Sequence, residues 1–295
     1  MRTGRARAKL NLALELTGRR PDGYHELAAV SQTIDWSDVV ALETGRPGER
    51  RQAAPALEVS GPESHRVPPG ASNLAAQAAR LLDQDEDAAP IRRIFLEKRV
   101  PPQSGLGGGS ADAAAVLRLA GGALAPARLA EIALLCGADV PFSLHGGAAH
   151  LSGIGEVVVP LPPVSSGVFL VAILGSVSTA AAYAATLAAD FSDGGRADRM
   201  AGVLRASQPP PSELLGSGLE PAALRAVPAL EPRLERLRRA TVGTTWAMTG
   251  SGGAFFTYAS DGRTAADLAQ VVASAFPPGD LQGIRIALPV GPRAD

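Results

Sequence analysis

The stretch Pro101-Pro102-Gln103-Ser104-Gly105-Leu106-Gly107-Gly108-Gly109-Ser110-Ala111-Asp112-Ala113-Ala114-Ala115-Val116-Leu117 joins a glycine-dense loop to the start of a helix. Residues without a Cβ let backbone N–H groups converge on an anion. The free N–H groups and positive dipole end of the following helix add to that attraction, so the segment reads as a phosphate cradle. Ser110 is the expected N-cap, an alanine-rich body follows, and Gly121-Gly122 is the stop. Two commoner glycine loops do not fit. A P-loop ends in Gly-Lys-Ser/Thr, and no Gly-Lys pair occurs in the chain. A dinucleotide fingerprint needs a strand directly before its first glycine, and Pro101-Pro102 interrupts one.

Working outward, the choice of cations carries information. Of 28 basic residues only Lys9 and Lys98 are lysine, and Asn11 and Asn73 are the only asparagines. Arginine fills almost every position where a generic surface cation suffices, so each remaining lysine marks a place that needs a compact ammonium. Lys9 and Asn11 lie two residues apart, which on a strand puts both on one face, with Leu10, Leu12, Leu14 and Leu16 on the other. Asn73 can equally be the N-cap of a helix over Leu74 to Leu82.

A net charge of -1 gives no support for nucleic acid or membrane binding, and no apolar run reaches the roughly 18 residues a membrane span needs. No leader is read at the start of the chain. The single cysteine, Cys136, excludes an internal disulfide, suits a reducing cytoplasm, and reads as a buried structural thiol. The length of 295 residues with 46% hydrophobic residues suggests two domains, divided at the proline cluster Pro160 to Pro163 into residues 1–160 and 161–295.

The pattern of elements is α+β. Strands are expected after the turn Pro21-Asp22-Gly23 around Val39 to Leu42, and at Leu57 to Val59, Val157 to Val159, Val168 to Leu174, Trp246 to Met248, Ala254 to Tyr258 and Ile284 to Leu288. Helices are expected at Ser110 to Leu119, Pro126 to Cys136, Leu230 to Arg239 and Ala265 to Phe276, with another carrying Tyr183. The segments Gly45 to Gly70 and Asp193 to Ser212 read as loosely ordered.

The order Pro-x-x-x-Gly-Leu-Gly-Gly-Gly-Ser resembles the central motif of the GHMP kinases. Flanking blocks sharpen the match: Ala8-Lys9-Leu10-Asn11-Leu12, Arg20-Pro21-Asp22-Gly23-Tyr24-His25-Glu26-Leu27, Gly137-Ala138-Asp139-Val140-Pro141-Phe142 and Thr249-Gly250-Ser251-Gly252-Gly253-Ala254. The resemblance implies an N-terminal ATP-binding domain like the second domain of a ribosomal protein and a ferredoxin-like C-terminal domain, with the active site between them.

It further implies ATP- and Mg2+-dependent phosphorylation of an alcohol. The Asp-Gly-Tyr-His block points to a small-molecule acceptor carrying a cytidine diphosphate, in the non-mevalonate route to isoprenoids. Homoserine, mevalonate or a sugar are the alternatives within the family, and a non-catalytic nucleotide sensor is the alternative outside it. By resemblance Asp139 is the catalytic base and Lys9 its partner. ATP would meet Pro101, Gly105, Leu106, Gly107, Gly108, Gly109 and Ser110, with Asn73 and Lys98 nearby. The other substrate would meet Asn11, Tyr24, His25, Tyr183, Gly250, Ser251 and Gly252. Taken alone, Asp139 reads as a turn residue, Tyr24 as a core aromatic and His25 as a surface residue. No metal ligand is assigned, and the expected state is a monomer or weak homodimer. The chain departs from the usual pattern at Ala111, where a second serine is common, at Ser217-Gly218-Leu219-Glu220, where Asn-Asp-Leu-Glu is common, and at Arg7, where proline is usual.

Overall fold

A computed structural model of the chain describes residues 1–46, 49, 55–67 and 70–292. Part of the Gly45 to Gly70 segment therefore lies outside the described residues. Strands β1 (Arg2–Arg19) and β2 (His25–Thr44) form a long antiparallel hairpin. Its turn closes through Arg20 N to Tyr24 O at 2.7 Å, and Gly23 takes φ 91°, a conformation glycine adopts without strain. The pairing register shifts between Arg7 and Lys9, between Asn11 and Ala13, and between Leu16 and Gly18. Each such bulge reverses which face the following residues meet.

This bulging corrects the simple alternation read from the leucines. Leu10 and Leu12 enter one core cluster, Leu14 and Leu16 another, and Leu14 lines the same cleft as Lys9 and Asn11.

The hairpin is the centre of a seven-stranded sheet that also contains β3 (Ala56–Ser60), β4 (Ile91–Glu97), β5 (Ala148–Ser152), β6 (Val157–Leu161) and, from much later in the chain, β8 (Gly216–Ser217). Its main path runs β3-β4-β2-β1-β8, and β5 pairs both β2 and β6. Helices α1 (Leu74–Leu82), α2 (Gly108–Ala120) and α3 (Pro126–Cys136) share a core with Val40, Leu42, Ile94 and Leu96 of that sheet. A short helix α4 (Val140–His145), which sequence periodicity did not predict, starts directly after Asp139 with proline in its first turn.

The second sheet is antiparallel, in the order β11-β7-β10-β9, from β7 (Val168–Ile173), β9 (Ala247–Met248), β10 (Ala254–Ala259) and β11 (Gly283–Ala287). Every residue of β7 is buried, because Leu170 and Ala172 pack in the cluster of α8 (Leu230–Ala240) and α9 (Gly262–Ala275), whereas Phe169, Val171 and Ile173 pack with Leu10, Leu12, Val30 and Ile34 of the first sheet. One core cluster thus contains residues from both halves.

The remaining helices are α5 (Thr179–Ala184), α6 (Gly195–Arg205) and α7 (Glu220–Ala226). Helix α6 replaces the loose segment expected from Asp193 to Ser212. Ala197, Met200, Ala201 and Leu204 follow helical spacing and are buried, but the polar residues between them mask the pattern in a composition reading. Helix α2 starts at Gly108 and not at Ser110, with Gly107 at the N-cap in a left-handed conformation (φ 69°).

Candidate functional site

The glycine loop is fastened to β1 by Lys9 N donating to Leu106 O at 2.9 Å. A Cβ at Gly107 would stand 3.0 Å from Lys9 Cγ, so glycine at this position lets the lysine chain lie against the loop. The first bond within α2 runs from Ala111 N to Gly107 O, leaving the N–H groups of Gly108, Gly109 and Ser110 without intrahelical partners. All three residues line a cleft of about 380 Å³ between the two halves. Unpaired donors at a helix N-terminus favour an anion there.

Lys9 is only 4% exposed, and its ammonium donates to Asn11 Oδ1. Its Nζ lies 3.5 Å from Asp139 Oδ2, whose side chain is 44% exposed. Asp139 sits at the N-cap position of α4 without capping it, so its carboxylate is not used up by the helix. Asn11 is a hub. Its Oδ1 also accepts from Gly250 N at 3.0 Å, its Nδ2 donates to Ser31 Oγ at 2.8 Å, and its backbone N–H donates to Thr249 Oγ1 at 2.9 Å. The two glycine turns meet back to back: a Cβ on Gly105 would run into the Thr249 carbonyl oxygen, and one on Gly250 would stand 2.5 Å from Gly105 O. Ser251 hydrogen-bonds Thr179 across the same cleft, 3.0 Å between hydroxyls, and Tyr183 lines the wall. A buried ammonium, a solvated carboxylate and a ring of free N–H donors in one cleft suit transfer of a phosphoryl group to a hydroxyl.

Residues 73–147 match the family described as GHMP kinases N terminal domain. A 4-diphosphocytidyl-2-C-methyl-D-erythritol kinase of Rhodopseudomonas palustris is 37% identical over 285 residues, covering 92% of this chain and 93% of that protein. One of Xanthobacter autotrophicus is 36% identical, covering 90% and 92%. The chain belongs to the 4-diphosphocytidyl-2-C-methyl-D-erythritol kinase family. A crystal structure of a 4-(cytidine 5'-diphospho)-2C-methyl-D-erythritol kinase superposes with a TM-score of 0.71 at 31% identity, covering 98% of this chain and 100% of that one. A homoserine kinase from Cytophaga hutchinsonii shares the fold, with a TM-score of 0.66 at 18% identity over 99% of this chain and 96% of that one.

In this member of the kinase family, two residues expected at ATP are engaged elsewhere. Lys98, 3% exposed, is held between Asp38 and Asp112 beneath the glycine loop, with Nζ 2.8 Å from Asp112 Oδ2. Burial works to lower its pKa, but the two carboxylates outweigh burial and hold it above the ordinary lysine value. Burial, with the charge of Asp38 adding, pushes Asp112 well above the usual carboxylate range despite Lys98. The Asn73 side chain caps α1, accepting from Ala75 N at 2.9 Å. Neither residue lines the cleft, whereas Leu74 does.

At the far end, Tyr24 is 60% exposed on the hairpin turn and is not among the cleft-lining residues. His25 is buried, stacked on Phe191 (5.9 Å between centroids, 14° between planes) and tilted against Tyr183 (5.2 Å, 40°). Phe191 escaped sequence reading because it follows a segment with no clear period. Its place is fixed by a bridge to Leu16 at the edge of β1. Ser217, at the departure from Asn-Asp, accepts from Leu219 N at 3.2 Å at the start of α7, so its hydroxyl still organises that turn. Ala111 is buried in the core cluster that α2 shares with α1. Burial pushes the Cys136 thiol up to about 11, which keeps it protonated and unreactive. Among the described residues no helix is long and apolar enough to cross a membrane.

Proposed function

We propose that the cleft transfers the γ-phosphoryl group of ATP to the 2-hydroxyl of 4-diphosphocytidyl-2-C-methyl-D-erythritol, with Asp139 as base and Lys9 as its electrostatic partner. The observation that carries this assignment is the pairing of the buried Lys9 ammonium with the half-exposed Asp139 carboxylate, 3.5 Å apart at the mouth of the glycine loop. Asp139 accepts the proton of the attacking hydroxyl as the new O–P bond forms and the bond to the leaving ADP breaks. Lys9, fixed by Asn11, offsets negative charge on the moving phosphoryl group. The free N–H groups of Gly108, Gly109 and Ser110 hold the remaining phosphates, and Asn11 and the Gly250-Ser251-Gly252 turn hold the alcohol end.

Mg2+ fits this site as an ion carried by the nucleotide. Among the described residues no group of three or more His, Cys, Asp or Glu could hold a metal, and Mg2+ ordinarily keeps waters and substrate phosphates as most of its ligands. The Ser110 hydroxyl would supply a protein oxygen, and the bound ion would neutralise phosphate charge. Tyr24 and His25 are assigned to the cytidine end, supported by the aromatic grouping of His25, Tyr183 and Phe191. The proposed place of work is the cytoplasm, where ATP is available and a lone thiol stays reduced. The proposed state is a monomer or weak homodimer.

The test is ADP release measured with the cytidine diphosphate alcohol, homoserine and mevalonate as acceptors. Turnover is expected with the first alone. A higher kcat/KM with either of the others would overturn the acceptor assignment.

A further inference from the structure

The hydrogen bonds around His25 decide where its proton sits. Thr186, in the loop after α5, has one hydroxyl hydrogen, and its Oγ1 lies 2.8 Å from the Tyr183 carbonyl oxygen, which can only accept. That hydrogen is therefore spent on Tyr183. The same Oγ1 lies 2.9 Å from His25 Nε2, so this contact is made with Nε2–H as donor and the hydroxyl oxygen as acceptor. A neutral imidazole with its hydrogen on Nε2 carries a bare lone pair on Nδ1. Among the described residues Nδ1 has no protein partner, and it is not among their buried polar atoms left unpaired, so it is reachable from solvent. Phe191 and Tyr183 hold the ring plane from two sides.

We propose that Thr186 is a positioning residue that locks His25 in its Nε2–H form, so that Nδ1 serves as an acceptor for the exocyclic amino group of cytosine. The inference rests on the reading that His25 meets the base. Uracil carries a carbonyl oxygen where cytosine carries that amino group, so the locked ring sets two acceptors against each other and disfavours a uridine analogue. Burial of the ring, with the charge of Arg19 adding, disfavours the protonated imidazole that could donate from both nitrogens. Thr186 touches neither the base nor the reacting atoms, and its effect is carried through His25.

The test combines a tautomer measurement with kinetics. In 15N NMR of histidine-labelled wild-type protein, with the His25 signals assigned by His25→Gln, the neutral ring should be the Nε2–H form. Thr186→Val should give a mixture of tautomers, and Thr186→Ser should restore the wild-type form. KM for the cytidine substrate should rise in Thr186→Val by the reciprocal of the remaining Nε2–H fraction, about twofold for an even mixture, with kcat little changed, and Thr186→Ser should recover it. Discrimination against the uridine analogue should weaken in Thr186→Val alone. An Nδ1–H tautomer in the wild type overturns the lock whether or not the valine variant folds, as does a valine variant with tautomer and KM both unmoved. If the wild type is locked as expected but KM is unmoved in both Thr186→Val and His25→Gln, the base does not meet His25, and the reading on which this inference rests is overturned.

Discussion

Asp139 and Lys9 face each other with very different solvent exposure, and that difference separates what their replacement should do. The Asp139 carboxylate is half-exposed and caps no helix, so Asp139→Asn should melt like the wild type while kcat falls by about 10²–10⁴, the usual worth of a positioned base. Near-wild-type turnover in a pre-steady-state assay would remove Asp139 from the mechanism. The Lys9 stem runs along Gly107 with no room to spare, so the wider, planar guanidinium of Lys9→Arg should displace the loop. A loss in kcat on the order of 10²–10³ is expected, and full activity would show that any cation suffices. His25 adds a pH dependence. Its pKa is lowered from 6.5 by burial and by Arg19, so between that lowered value and 6.5 the unfolded chain binds more protons than the folded one. Stability should therefore fall as pH drops below about 6.5, and KM for the cytidine substrate should rise once His25 itself protonates. Both trends should vanish in His25→Gln, measured by denaturant midpoints and by KM against pH.

At the scale of elements, the start of α2 depends on a buried charge cluster that joins it to β2 and β4. Lys98 holds Asp38 and Asp112, and Asp38 Oδ1 also accepts from Val100 N at 2.8 Å. Replacing the ammonium removes the counter-charge of the buried Asp38 carboxylate and the donor that Asp112 accepts from, so Lys98→Met should cost about 3–5 kcal/mol of stability in denaturant melts. Asp112→Asn should cost much less, since burial already favours the neutral form of that carboxyl. Equal losses would show that Asp112 is ionised and needs Lys98 as its counter-charge. A Cβ on Gly108 would meet Lys98 Nζ and Val100 Cγ1, both at 3.1 Å. A side chain at Gly108 therefore presses on this cluster as well as on the cleft that Gly108 lines.

For the molecule as a whole, one core cluster holds residues of both halves, and β8 from the second half extends the first sheet beside β1. The chain should accordingly unfold in one calorimetric transition, and two well-separated transitions would show that the halves are independent. A non-hydrolysable ATP analogue at about 100 times its Kd should stabilise the fold by about 2.7 kcal/mol, a rise of about 2–4 °C per kcal/mol in Tm for a chain near this size. The same experiment on a glycine-loop variant should show a smaller rise at equal concentration.

Most strands, and the long helices other than α6, were legible in the sequence because their residues answer to local rules. The apolar run Val168 to Leu174 is a strand buried on both faces, proline opens α3, and Gly137 ends it. The convergence of free backbone donors at the glycine loop was legible for the same reason, since the loop and the helix start are neighbours in the chain. The scarcity of lysine marked two positions that matter, but not what each is for. Lys9 and Lys98 look alike in sequence, and only the tertiary structure sends one to the cleft beside Asp139 and the other beneath the loop between two carboxylates. It also decided the bulges that turn Leu14 to the cleft, the contact of Gly105 with Gly250, and the meeting of His25 with Thr186 and Phe191. The physical reason is common to all of these. Each depends on groups brought together from distant parts of the chain, and a burial, a close approach or a hydrogen-bond geometry exists only once both partners are in place.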